Sequence, residues 1–125
     1  MNIICVDSND ELNLIDLDVV ACISSNRRYS SIVMYINGKK IVLSISLSQF
    51  EDVIKESAAK QCFENTFTRL GSDLIVNNRY LTQINISRQT ITLSDYKTHV
   101  YQVTVPKRIL MRYKDFIKTT YLGQQ

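Results

Sequence analysis

Phe67-Thr68-Arg69-Leu70-Gly71-Ser72-Asp73-Leu74-Ile75-Val76-Asn77 lies just past the middle of a chain of 125 residues and carries more constraint than any other stretch in it. Together with Cys62 to Thr66 before it, the portion up to Leu70 has the aromatic and β-branched content of a short strand. The guanidinium of Arg69 has a carboxylate to pair with at Asp73, and the amide of Asn77 can cap neighbouring backbone groups. Asn78 and Arg79 follow on a turn. Such a cluster of cation and amides serves either the chain itself or an anionic ligand, and both readings stay open here.

Upstream, Ser48-Gln49-Phe50-Glu51 has the Ser-x-x-Glu spacing of a capping box, in which hydroxyl and carboxylate satisfy free N–H groups at a helix start. Phe50, Val53, Ile54, Ser57 and Ala58 fall on one helical face, away from Glu51, Asp52, Lys55 and Glu56, which predicts a short packing helix from Gln49 to Ala59. Before it, Tyr29 to Ile36 and Ile41 to Ile45 read as strands. They are joined at Asn37-Gly38, whose tolerance of positive φ predicts a type I′ hairpin turn. The polar connection Ser24 to Arg28 leads into them. Two opening strands, Asn2 to Val6 and Leu12 to Ile23, flank the turn-forming cluster Asp7-Ser8-Asn9-Asp10-Glu11. Asp16 and Asp18 sit two apart beside apolar partners and read as the polar face of a strand, not as a catalytic carboxylate pair.

Downstream, Leu81 to Ile86, Thr90 to Leu93 and Val100 to Val105 alternate as strands, separated by the polar turns Ser87-Arg88-Gln89 and Ser94-Asp95-Tyr96-Lys97. Pro106 suits the first turn of a closing helix, where its missing N–H would be unpaired anyway. At 100° per residue Ile109, Leu110, Tyr113, Phe116 and Ile117 form one stripe, with Lys107, Arg108, Arg112, Lys114 and Lys118 on the other side. The expected architecture is mainly β: antiparallel hairpins interrupted by one packing helix and closed by a basic amphipathic one.

With 45% hydrophobic residues the chain can bury one core and is too short for two ordinary domains, so one domain over 1–125 is expected. No run of about 18 apolar residues and no signal-peptide core occur, which points to a cytoplasmic protein with no membrane partner. Cys5, Cys22 and Cys62 lack a C-x-x-C spacing and read as core thiols, and the lone His99 reads as a surface or half-buried strand residue. Neither a metal nor a cofactor is expected. No Gly-rich phosphate loop, H-E-x-x-H or G-x-S-x-G is present, which argues against an enzyme. The formal charge of +3 is unevenly spread. Asp7, Asp10, Glu11, Asp16 and Asp18 precede the first cation, leaving 15 basic against 7 acidic residues from Arg27 onward. That balance suits a polyanionic partner, or else simply a soluble surface.

The order of these elements and certain words in the chain resemble the LytTR family, the DNA-binding domain of bacterial response regulators, over roughly residues 3 to 118. The stretch from Phe67 to Asn77 is similar to that family's F-x-R-x-H-x-S-[YF]-[IVL]-V-N signature, with Phe67, Arg69, Val76 and Asn77 matching directly. Ile15-Asp16-Leu17-Asp18-Val19-Val20 and Ser46-Leu47 resemble two further family elements. The resemblance implies an elongated fold of antiparallel β-hairpins that lies along double-stranded DNA and inserts loops into successive major grooves. Side chains at base edges would give specificity, and Lys and Arg at phosphates would give affinity.

The resemblance is imperfect in the loop that would face DNA. Gly71 replaces the usual His, Ser72 follows it, and Asp73 replaces the usual Ser. Near the end Val103-Thr104-Val105 resembles the family's V-S-R, so Val105 stands where an Arg commonly reaches a base. The resemblance therefore leaves Arg27, Arg28, Tyr29 and Ser30, then Arg69, Ser72, Asn77, Asn78 and Arg79, and finally Lys107 and Arg108 as the candidate DNA contacts. Arg27 and Arg28 are the strongest of these, with ordinary exposed loop charge as the alternative. The implied function is that of a stand-alone transcription regulator, placed as a second copy on tandem sites or controlled by a separate signalling partner. The competing expectation is a protein-interaction module whose DNA face has degenerated.

Overall fold

The computed structural model describes every residue except Asn9, Arg28, Gln124 and Gln125. Its ten strands form three antiparallel sheets and its two long helices follow the fifth and tenth strands, so the mainly β expectation holds. The backbone groups into two compact units, Met1–Arg79 and Tyr80–Gln125.

The first unit opens with a two-stranded ribbon, β1 (Ile3–Ser8) and β2 (Glu11–Asp16), in the register Ile4↔Ile15 and Cys5↔Leu14. The expected strand Leu12 to Ile23 is broken in two at Asp16. Its carboxylate accepts from the backbone N–H of Asp18 at 3.0 Å and starts a 3-10 turn over Leu17–Val19. Such side-chain competition for backbone donors is what makes Asp a strand breaker. The chain re-enters as β3 (Val20–Ser25), then β4 (Ser31–Tyr35) and β5 (Lys40–Leu43). At Asn37-Gly38 only Gly38 has positive φ, at 92°. Gly38 N–H donates to Tyr35 at 2.9 Å and Tyr35 N–H to Lys39 at 2.8 Å. This is a longer loop ending in a left-handed glycine, in place of the expected two-residue type I′ turn.

Helix α1 spans Leu47–Gln61, two residues longer at each end than expected, and it is capped by Ser46, not Ser48. Ser46 Oγ accepts from Gln49 N–H at 3.2 Å while Gln49 Oε1 accepts from Ser46 N–H at 2.9 Å. Both serines offer a Ser-x-x-Glu/Gln frame, and burial selects between them. Starting at Ser46 sends Leu47, Phe50 and Ile54 into the core. It also releases Glu51 for another partner. Cys62 ends the helix in the left-handed region, so the strand expected from Cys62 begins only at β6 (Phe67–Leu70). After a three-residue turn comes β7 (Leu74–Asn77), buried at all four positions.

The larger sheet runs β5-β4-β3-β7-β6. Ile23, Val33, Leu43 and Ile75 of this sheet share one core cluster with Ile4, Val6 and Ile15 of the ribbon and with Phe50 and Ile54 of α1. Burying Phe50 fully contributes on the order of 2–3 kcal/mol.

In the second unit β8 (Leu81–Asn85), β9 (Thr90–Ser94) and β10 (Val100–Thr104) form a meander ordered β10-β9-β8. Pro106 stands at the N-cap, just before α2 (Lys107–Leu122). Leu110 and Tyr113 of the expected stripe are buried, as are Ile91 and Leu93 on the sheet, whereas Phe116 is 49% exposed. His99 lies just outside β10, half-buried against Asp95 Oδ2 at 2.8 Å. Only Cys22 is a core thiol; Cys5 and Cys62 are exposed. Cys5 alternates outward on the ribbon and Cys62 caps a helix, and neither position is set by the residue's own hydrophobicity.

Candidate nucleic-acid interface

At one end of the five-stranded sheet two connections meet. In the β3–β4 loop Asn26 N–H donates to Ser30 at 3.0 Å and the Ser30 hydroxyl returns a bond to the Asn26 carbonyl. The loop is thus pinched at its base. Arg27 takes φ 69° near its apex and is exposed, and Tyr29 is 71% exposed. Arg28 lies outside the described residues. Beside this loop runs the β6–β7 turn Gly71-Ser72-Asp73. It is tied to β3 by Ser25 N–H donating to Asp73 O at 2.9 Å and Ser25 Oγ donating to Asp73 Oδ1 at 3.1 Å. Asp73 therefore takes a hydroxyl partner, and not the guanidinium that the sequence suggested for it.

Arg69 is turned to the chain's own use. Its Nε donates to Gly71 O at 2.8 Å and its Nη2 to Ser72 O at 3.1 Å, which fixes the turn. Its Nη1 pairs with Glu51 of α1 at 3.3 Å, and the side chain is 21% exposed. One planar fork thus fastens the turn to the helix, a geometry that a lysine would not reproduce. Ser72 is left exposed at the apex, with Gly71 and Asp73 exposed on either side.

Asn77 is 1% exposed. Its Nδ2 donates to Val20 O at 2.9 Å and, at a longer 3.4 Å, to Leu17 O, while Oδ1 accepts from Thr66 Oγ1 at 2.8 Å and from Arg79 N–H at 3.1 Å. The amide bonds to the 3-10 turn, to β3 and to both ends of its own segment, so it is a buried clamp. Asn78 bonds Thr68 Oγ1 at 2.8 Å and is part-buried. Arg79 is exposed and reaches Asp18 Oδ1 at 3.4 Å.

Because β7 runs antiparallel to β3, Asn78 and Arg79 lie at the opposite end of the sheet from Arg27 and Ser72. The predicted contacts in this unit therefore fall into two clusters. Lys39 and Lys40, at the β4–β5 connection, join the Arg79 end. Ile36 N–H, just before their turn, bonds Val19 O at 2.8 Å.

In the second unit the β8–β9 turn comes next to the start of α2, since Val105 N–H donates to Gln89 O at 2.9 Å. That brings exposed Arg88 to the end where exposed Lys107 and Arg108 begin the helix. No acidic residue occupies that first turn and no side chain caps it. Cations here oppose the helix dipole, by a few tenths of a kcal/mol each, and an incoming anion would relieve both. Arg88 was missed because its turn reads simply as polar. Val105 itself is 2% exposed and belongs to the core. Charge differs between the units: residues 1–79 hold 8 basic and 10 acidic side chains, and residues 80–125 hold 7 basic and 2 acidic.

Three antiparallel sheets in this order, with one helix after the fifth strand and one after the tenth, make up the LytTr DNA-binding fold. The chain superposes on the LytTr DNA-binding domain of a Bacillus cereus protein assigned as a methyl-accepting/DNA response regulator, with a TM-score of 0.61 and 15% identity, over 94% of this chain and 97% of that one. No family model matches the sequence, and no curated protein matches it. Among the described residues no helix is long and apolar enough to cross a membrane, and no group of His, Cys, Asp and Glu is placed to hold a metal ion.

Proposed function

We propose that this chain binds double-stranded DNA as a transcription regulator. The observation that carries the reading is the likeness in fold to a LytTr DNA-binding domain along nearly the whole of both chains. The contacts we assign are Arg27, Tyr29 and Ser30 with Ser72 at one end of the larger sheet, and Arg88, Lys107 and Arg108 in the second unit. Arg28, which adjoins the first group in sequence, belongs with it. Arginines in a loop can meet guanine edges bidentately, while cations at an uncapped helix start suit phosphate. Arg79 and Asn78 are assigned to backbone contact only. Arg69 and Asn77 act indirectly, by holding the loop and β7 in place.

A second reading has support from the same loop. Arg69 is engaged with Glu51, and Asp73 adds negative charge beside Ser72. Both would suit a LytTR-like module that binds protein and has lost base recognition.

Titration of the protein against its own upstream region and against a scrambled duplex, at two salt concentrations, separates the two. The regulator reading expects retained preference for the native duplex at the higher salt. Equal and steeply salt-dependent affinity for both duplexes would refute it. Replacing Arg27 and Arg28 together by Glu is expected to weaken binding at least tenfold, and unchanged affinity would remove that loop from the interface.

A further inference from the structure

The ribbon β1–β2 presents an unusual outer face. Strand alternation sends Ile4, Val6 and Ile15 to the core, and therefore Cys5, Leu12 and Leu14 outward. Cys5 stands directly opposite Leu14, and Leu12 is opposite Asp7 two rungs further on. Leu12 is 63% and Leu14 68% exposed. The charged side chains that alternation places on that face of the ribbon are carboxylates. Asp7 and Asp16 lie on the same face, and at the tip Asp7, Asp10 and Glu11 line a hollow of about 380 Å³ with Ser44 and Gln49. An apolar row that shares its face with carboxylates selects an occupant that is apolar and cationic.

Such a surface exists on the second unit. At 100° per residue Met111, Lys114, Lys118 and Leu122 share one outer stripe of α2, with Tyr121 beside it. Met111 is 51%, Leu122 57% and Tyr121 72% exposed, and both lysines are exposed. Asp115 at the border of the stripe is the helix's one carboxylate. This stripe is separate from the buried Leu110 and Tyr113, and Lys107, one turn before Met111, continues it to the start of α2.

We infer that the α2 stripe of one copy docks on the outer face of the β1–β2 ribbon of a second copy. Met111 and Leu122 meet Leu12, Leu14 and Cys5, and Lys114 and Lys118 meet the carboxylates of Asp7 and Asp10. Ribbon against ribbon is disfavoured by like charge, and so is helix against helix. The contact is therefore head-to-tail, with each copy using one surface as donor and the other as acceptor. Its test does not depend on the DNA-binding reading, since none of the residues placed in the contact is an assigned DNA contact.

Two charge-reversed full-length chains test this without DNA. One carries Asp7→Lys and Asp10→Lys, the other Lys114→Glu and Lys118→Glu; all four positions are exposed, and circular dichroism verifies that each variant folds. In sedimentation at low salt the wild type is expected to exceed the mass of one chain and to dissociate as salt is raised. Each variant alone is expected to self-associate at least about tenfold more weakly, and an equimolar mixture to regain the association, because both possible contacts in the mixture are again complementary. Cys5 should be protected from alkylation in the associated state, with Cys62 unaffected. A wild type that stays monomeric at millimolar concentration, variants that associate as the wild type does, or a mixture that remains monomeric would each overturn the inference.

Discussion

Asn77→Ala removes a side chain that makes four hydrogen bonds in a site 1% exposed. Three of them, to Val20 O at 2.9 Å, from Thr66 Oγ1 at 2.8 Å and from Arg79 N–H at 3.1 Å, have good length; the fourth, at 3.4 Å, is weak. Truncation strands the buried Val20 carbonyl, at a cost of about 1–3 kcal/mol, while the Thr66 hydroxyl and the Arg79 N–H can be partly rehydrated and cost roughly 0.5–1 kcal/mol each. The expected loss is therefore about 3 kcal/mol, a large fraction of the total stability of an ordinary domain. Urea denaturation followed by far-UV circular dichroism measures it, with the slope unchanged and the midpoint lowered. Ser72→Ala, at an exposed turn, is the control and should shift stability by less than about 0.5 kcal/mol. A loss below about 1 kcal/mol for Asn77→Ala would refute the clamp. So would native-like stability combined with lost DNA affinity, which would return Asn77 to the interface.

Arg69 and Glu51 should couple in a double-mutant cycle, with Arg69→Met and Glu51→Gln together costing about 0.5–1.5 kcal/mol less than the sum of the single changes; additivity would mean that the guanidinium serves only the turn carbonyls. Cys5 and Cys62 should react with a thiol reagent at pH 8 in the folded protein, whereas Cys22, pushed up to about 11 by burial, should react only on unfolding. Three fast thiols would contradict the placement of β3. The hydrogen bond from the His99 ring, followed by backbone N–H groups of Lys97, His99 and Thr98, holds the Asp95 carboxyl well below the usual carboxylate range. The folded value is depressed, so the loop's stabilisation is complete above the unfolded value of about 3.9 and is lost only as the pH falls below it toward the folded value. An NMR titration of Asp95 should show no midpoint near pH 4, and His99→Ala should move the midpoint upward; an ordinary wild-type midpoint would sink this account.

What the sequence disclosed and what it concealed follow from the range of the interactions involved. β8, β9, β10 and α2 could be read because each keeps one face wet, so that alternation or a 3.6-residue stripe is written locally in Gln83, Thr92 and Gln102, or in Lys107, Arg112 and Lys118. β7 could not be read the same way. Leu74, Ile75, Val76 and Asn77 are covered on both faces, and no periodicity survives in a strand that has no wet side. The frame of α1 was ambiguous for a different reason, since Ser46 and Ser48 both head a capping box and only the burial of Leu47 decides between them.

The candidate site was legible in its residue types more than in its grouping. Arg69 and Asn77 were marked as carrying either structural or ligand roles, and only the fold could place Glu51 within 3.3 Å of one and Val20 O within 2.9 Å of the other. The same long-range placement brings Arg88 to Lys107 through a backbone bond between Val105 and Gln89, a pairing 16 residues apart that no local pattern announces. Cations therefore gather where chain connections meet, at the Arg27 loop and at the start of α2, whereas the carboxylates of the chain's opening gather on the β1–β2 ribbon, whose tip lies beside Ser44 and Gln49. The acidic opening of the chain is then not surplus charge to be averaged into the net value of +3. It forms a second surface, with a chemistry opposite to that of the first.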